Sequence, residues 1–225
     1  MSQPSAEPVP CSLAVPEGAL SALAWTPPAA RAALVLAHGA GAGMDHPFLA
    51  ALAGALAARG VATLRFQFPS MERGLKRPDP PPVAHAAVRA AVAAAHGRWP
   101  DLPLYAGGKS FGARMTSQAQ AAEPLPQVRG LVFVGFPLHP AGKLGVQRAA
   151  HLAKVRVPML CLQGDRDALA DLALLREVLA PLGERVALKV EDGADHAFHV
   201  LRRSGRTEAE VIASLADTIG AWVSP

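Results

Sequence analysis

Cysteine is nearly absent from this chain: 225 residues hold two, Cys11 and Cys161. Two thiols so far apart exclude a disulfide framework, and no Cys/His spacing of a metal site occurs. Cys161 lies in an apolar, strand-like run and reads as a buried thiol. Aromatic residues make up only 5%, so Ala, Leu and Val must build the core. Charged residues are 18% and the net charge is +4. The basic clusters Lys76-Arg77 and Arg202-Arg203 are short and not interleaved with aromatics, which argues against a nucleic-acid partner. No stretch reaches the ~18 consecutive apolar residues of a membrane span. Met1 to Cys11 is rich in Pro and Ser and lacks the basic start and apolar centre of a secretory leader. A soluble, cytoplasmic protein acting on a small molecule, with no nucleic-acid or membrane partner, is the expectation. Oligomeric state is not legible.

What the chain does have is apolar mass: 51% hydrophobic residues and a mean hydropathy of +0.21, a globular composition. Its length suits one domain. Residues 1–12 read as a flexible tail and 13–225 as a single domain. Leu13–Val15 and Leu20–Trp25 read as an opening hairpin around Pro16-Glu17-Gly18. Ala32–Ala37, Val61–Phe66, Leu102–Ala106, Gly130–Val134, Val157–Leu162 and Val186–Val190 then read as strands, most of them continuous apolar runs. Pro47–Arg59, Val83–His96, a segment from the 110s to Ala122, Leu169–Leu179 and Glu208–Trp222 read as helices. Residues 67–82 read as a long loop. Buried strands alternating with helices predict an α/β fold, with a doubly wound, mostly parallel sheet flanked by helices on both faces. The short gap between Gly135 and Val157 leaves no room for a large lid.

The segment Gly108-Lys109-Ser110-Phe111-Gly112 is a G-x-S-x-G run between a strand and a helix, the context of a nucleophile elbow. A phosphate loop is excluded by spacing, since the glycine it needs falls at Pro103. Gly39-x-Gly41 similarly lacks the third glycine of a dinucleotide fingerprint, which falls at Met44. In an elbow the glycines are steric: a side chain there would strike the neighbouring strand and helix. Ser110 is then the nucleophile, and it needs a base and an acid. His196, beyond the last strand, is the expected base, with His199 its rival. Asp167 is the expected acid and Asp165 the alternative; Asp195 is too close in sequence to reach the far nitrogen of the ring. The order Ser, Asp, His suits this motif. An oxyanion would be held by the backbone N–H groups of Phe111 and Ala40. His38, Gln67, Lys109 and His139, all at strand ends, are candidate substrate-binding residues. An imidazole base must be neutral to work, so turnover should fall below about pH 6.5, the ordinary imidazole range.

Taken together, Ala37-His38-Gly39-Ala40-Gly41-Ala42-Gly43, Arg65-Phe66-Gln67-Phe68-Pro69, Gly107–Gly112, Gly135-Phe136-Pro137-Leu138-His139-Pro140 and Asp195-His196 resemble the α/β-hydrolase superfamily. More narrowly, they are similar to a small group of bacterial dienelactone-hydrolase-like proteins. That group includes a testis-expressed eukaryotic relative and a non-catalytic subunit of a histone acetyltransferase complex. The resemblance implies a serine hydrolase with Ser110, His196 and Asp167 as its triad, no cofactor, no metal, and an ester or thioester substrate of unknown identity. Dienelactone hydrolases use a cysteine where this chain has Ser110, which separates it from dienelactone chemistry. The alternative is a binding or scaffold protein that keeps the fold without turnover.

Overall fold

The computed structural model describes residues 5, 7–16, 18–75 and 77–223. Most of the N-terminal tail, Glu17 of the first turn, Lys76 and the last two residues of the expected domain lie outside them. The strands are β1 (Val9–Val15), β2 (Gly18–Trp25), β3 (Ala32–Ala37), β4 (Val61–Phe66), β5 (Leu104–Lys109), β6 (Val128–Val134), β7 (Met159–Gly164) and β8 (Val186–Glu191). The helices are α1 (Pro47–Ala57), α2 (Pro69–Glu72), α3 (Pro81–Arg98), α4 (Phe111–Ala122), α5 (Leu172–Leu179) and α6 (Glu208–Trp222). All eight strands join one sheet in the order β1-β2-β4-β3-β5-β6-β7-β8. β1 and β2 are antiparallel to their neighbours, and β4-β3-β5-β6-β7-β8 run parallel. The expected α/β architecture is the one observed.

All six residues of β3 are buried. Ala33, Val35 and Ala37 face one core with α3 and α4, while Ala32, Leu34 and Leu36 face the other with α1 and α6. A strand covered on both sides has no need to alternate polar and apolar residues, which is why it reads as one apolar run. α6 opens with a reciprocal capping box between Thr207 and Glu210, satisfying two N–H groups that have no partner within the helix. No helix among the described residues is long and apolar enough to cross a membrane.

Two expectations are corrected. The strand begins at Val9, inside the expected tail, because Val9–Ser12 pair with Ser21–Ala24; Pro10 is tolerated there because β1 is an edge strand. The expected loop 67–82 contains the short helix α2 and the first turn of α3, both entered through proline, whose fixed φ suits a helix start. Between β6 and β7, residues 147–154 form a stretch of 3-10 helix.

Candidate active site

β5 ends at Lys109 and α4 begins at Phe111, so Ser110 alone makes the turn. Its φ of 52° and ψ of −112° are costly for a residue with a Cβ. The turn is over-determined by close packing around it. A Cβ built on Gly107 would lie 1.8 Å from the Val132 carbonyl oxygen; on Gly108 and Gly112 it would lie 2.3 and 2.5 Å from that of Ala37. The glycines let β3, β5, β6 and α4 converge beneath the serine.

The loop after β8 brings His196 to Ser110. His196 Nε2 lies 2.8 Å from Ser110 Oγ, and Nδ1 lies 2.7 Å from Asp167 Oδ2. Asp167 is buried in the loop after β7. Its Oδ1 accepts from the Leu169 N–H at 2.7 Å, and its Oδ2 also accepts from the Gln163 side-chain amide. These bonds fix the carboxylate, and the carboxylate orients the ring. The Nδ1–H tautomer follows, leaving Nε2 free to accept the serine proton. Asp165 is elsewhere: its Oδ1 accepts from Gly193 N–H at 2.8 Å, and the adjacent Arg166 donates to the Gly193 carbonyl. Asp195 caps its own loop by accepting from Ala197 and His199 N–H. His199 is exposed, 3.6 Å from Glu208.

Phe111 N–H lies in the first turn of α4, where no preceding turn can accept it. Ala40 is exposed on the loop after β3, and a methyl built on the adjacent Gly39 would stand 3.7 Å from Ser110 Cβ. Ala40, Ser110 and His196 all line one cavity of about 760 Å³. Phe48, Leu49, Leu169, Phe198 and Ile212 make much of the rest of its wall. The sequence reading missed these apolar residues. The spacing of Ile212 within α6 was the available signal, and it reads equally well as core.

Of the four expected substrate-binding residues, only Lys109 reaches this cavity. His38 and His139 are both buried and serve as braces. His38 Nδ1 bonds the Gly39 carbonyl at 2.7 Å while Nε2 accepts from Phe68 N–H at 3.0 Å. His139 repeats the device with the Pro140 carbonyl at 2.9 Å and Asp171 N–H at 2.9 Å. Both rings are therefore neutral Nδ1–H tautomers spending their polarity on backbone; burial, above all, pushes the His38 pKa down. Gln67 Oε1 accepts from Met44 N–H at 2.8 Å and so steadies the loop that carries Ala40. A position at a strand end brought these three near the site, and their hydrogen bonds turned them away from the cavity.

Lys109 has an unusual setting. Its amine donates to the His196 carbonyl and sits 5.6 and 5.2 Å from the ring centres of Phe48 and Phe198. Burial lowers its pKa to about 8, against the opposing pull of Asp167 and Asp195. The folded protein thus sheds a proton that the unfolded chain keeps until about 10.5, so stability rises with pH across that window. Urea midpoints should climb between pH 8 and pH 10 for the wild type and climb less for Lys109→Met. Equal slopes would show that the amine is better solvated than its position implies.

Cys161 is buried, and desolvation pushes its thiol up to about 12, so it does not compete as a nucleophile. Among the described residues no three His, Cys, Asp or Glu side chains gather as a metal site requires.

Compared with known proteins, residues 30–224 match the model of the alpha/beta hydrolase domain. The chain belongs to the alpha/beta hydrolase family. Solved structures agree on the fold. An α/β serine hydrolase without lid from Xanthomonas campestris superposes with a TM-score of 0.74 at 22% identity, covering 99% of this chain and 98% of that one. The dienelactone hydrolase of Anabaena variabilis gives 0.77 at 22% identity, over 98% and 97%. A thermostable carboxylesterase, EstE1, from a metagenomic library gives 0.68 at 16% identity, over 100% and 92%. Within this alpha/beta hydrolase, the turn carrying Ser110 stands at the carboxyl edge of the parallel strands, where such sheets collect their functional groups.

Proposed function

We propose that this alpha/beta hydrolase is a serine esterase or thioesterase acting on a small soluble substrate through an acyl-enzyme. The observation that carries the proposal is the hydrogen-bonded chain Ser110–His196–Asp167 opening into an apolar cavity. Ser110 Oγ attacks the carbonyl carbon as its proton passes to His196 Nε2. Asp167 stabilises the imidazolium and keeps the ring in place. The Phe111 and Ala40 N–H groups hold the negative oxygen of the tetrahedral intermediate. That intermediate collapses, the leaving alcohol or thiol takes the proton from His196, and Ser110 remains acylated. Water, deprotonated by the same imidazole, then releases the acid. The aromatic and aliphatic wall suits the acyl group.

On its motifs we also place the chain in the narrower dienelactone-hydrolase-like group, with the testis-expressed protein and acetyltransferase subunit as distant relatives. We place it in the cytoplasm, where its two free thiols persist reduced. A fluorophosphonate probe tests the central reading. The folded protein should be labelled once, at Ser110, and should turn over short p-nitrophenyl esters or acyl thioesters. A folded protein that takes no label would be a binding or scaffold module instead.

A further inference from the structure

The turn that carries His196 is bonded mostly to itself. Asp195 N–H donates to the His199 carbonyl and Phe198 N–H to the Asp195 carbonyl, each at 3.0 Å. Asp195 Oδ1 takes the Ala197 and His199 N–H groups. The His199 side chain adds an exposed contact of 3.6 Å with Glu208, of the kind that solvent weakens. Among the described residues, one hydrogen bond ties the backbone of 195–199 to the rest of the protein: the one that the His196 carbonyl accepts from the Lys109 amine. The turn is also strained. Phe198 has a φ of 67°, a conformation that persists in a residue with a Cβ where the surroundings over-determine it. Its buried ring stacks on Phe48 at 5.6 Å and 21°.

Lys109 reaches this turn from fixed ground. It ends β5, which is paired on one side with β3 and on the other with β6. Its stem passes beside the loop after β3, where a methyl built on Gly39 would lie 3.9 Å from Lys109 Cγ. Its amine ends in a space left by Gly135, the residue after β6. A Cβ there would lie 3.3 Å from Lys109 Nζ, 3.3 Å from Phe198 Cε2 and 3.6 Å from the His196 carbonyl oxygen. Ammonium, ring and carbonyl thus meet over one missing side chain. The ring centres of Phe48 and Phe198, at 5.6 and 5.2 Å, lie within the about 6 Å over which a π face attracts a cation. A carbonyl and two rings therefore occupy the charge.

We propose that Lys109 is a positioning residue: its ammonium, flanked by Phe48 and Phe198, holds the His196 carbonyl and so keeps the imidazole in line between Asp167 and Ser110, and it does not serve as the ligand of an anionic substrate group. The inference rests on the hydrolase reading. A charge-assisted bond to the backbone of the base is stiffer than a neutral one, and a reacting group displaced by about 1 Å can cost on the order of 100-fold in rate.

Lys109→Met keeps the stem and removes the ammonium. Two substrates test it, p-nitrophenyl hexanoate and mono-p-nitrophenyl adipate, which differ by a carboxylate at the far end of the acyl chain. For both, kcat is expected to fall roughly 10- to 100-fold while each KM stays within about twofold. A KM that rises for the adipate alone would make Lys109 a substrate ligand and overturn the proposal, as would a kcat within about twofold of wild type for both esters. Proton–nitrogen NMR of histidine-labelled protein gives a readout that does not need turnover. The His196 Nδ1–H resonance, assigned by its loss in His196→Asn, should be sharp in the wild type and broadened or shifted in Lys109→Met, with those of His38 and His139 unmoved. An unchanged His196 resonance would also overturn the proposal. If the wild type takes no fluorophosphonate label and cleaves neither ester, the hydrolase reading has failed, and the resonance by itself decides whether Lys109 places the ring. If Lys109→Met does not melt cooperatively, Lys109→Gln, whose uncharged amide is one bond shorter, is measured in its place.

Discussion

Ser110→Ala is expected to fold as the wild type does and to lose roughly 10⁶-fold in kcat, the scale seen when a triad nucleophile is removed. The side chain makes one hydrogen bond, to His196, and alanine meets the left-handed φ of 52° at much the same cost as serine. The loss should therefore be chemical. What remains after the alcohol is removed is the pair of backbone donors and the apolar wall, which bind substrate and polarise its carbonyl but supply no covalent path. Steady-state hydrolysis of p-nitrophenyl esters, read beside a thermal melt, separates the two quantities. A variant that melts normally and retains activity within tenfold of wild type would transfer the chemistry to another group and end the acyl-enzyme account.

Gly107→Ala is expected to cost the fold itself. The new methyl would stand 1.8 Å from the Val132 carbonyl oxygen and 2.7 Å from its carbon. Those atoms belong to β6, whose Val132 is the register partner of Gly107, so neither strand can give way without breaking the centre of the sheet. Forcing an extra methyl into a well-packed core already costs about 1–3 kcal/mol. Here the obstacle is backbone, and the cost should approach the whole of a typical stability of about 5–15 kcal/mol. Insoluble expression, or loss of a cooperative melt, is the expected result. Gly97→Ala is the control: it lies in α3 with nothing within 4 Å of the added carbon, and it should stabilise by up to about 1 kcal/mol. A Gly107→Ala protein melting within a few degrees of wild type would mean that the elbow is not locked by its neighbours.

The elbow was legible because its constraint is local. A G-x-S-x-G run leaves little choice about where side chains are missing, and strand and helix patterns on either side say what they would collide with. His196 and Asp167 were legible by order along the chain and by their places after strands. The separation of Asp167 from Asp165, two residues apart in one loop, came down to which carboxylate each backbone turn consumes: Gly193 N–H takes Asp165, while Asp167 turns inward to the ring of His196. His38, Gln67 and His139 show the other side of the same problem. Each stands near a strand end, as a site residue should, but its direction is set by hydrogen bonds to backbone from distant loops. Phe48 and Phe198 went unread because an aromatic ring in a cavity wall and one in a core look alike in one dimension.

From residue order alone came the α/β architecture, the position of the sharp turn and the three side chains proposed to act together. Periodicity and steric exclusion act over a few neighbours, so these features are written locally. Tertiary structure decided which way each side chain faces, which histidines are braces, and how Lys109 comes to hold the His196 loop. Those outcomes depend on contacts between elements tens of residues apart, and only closure of the sheet brings such partners within hydrogen-bonding distance.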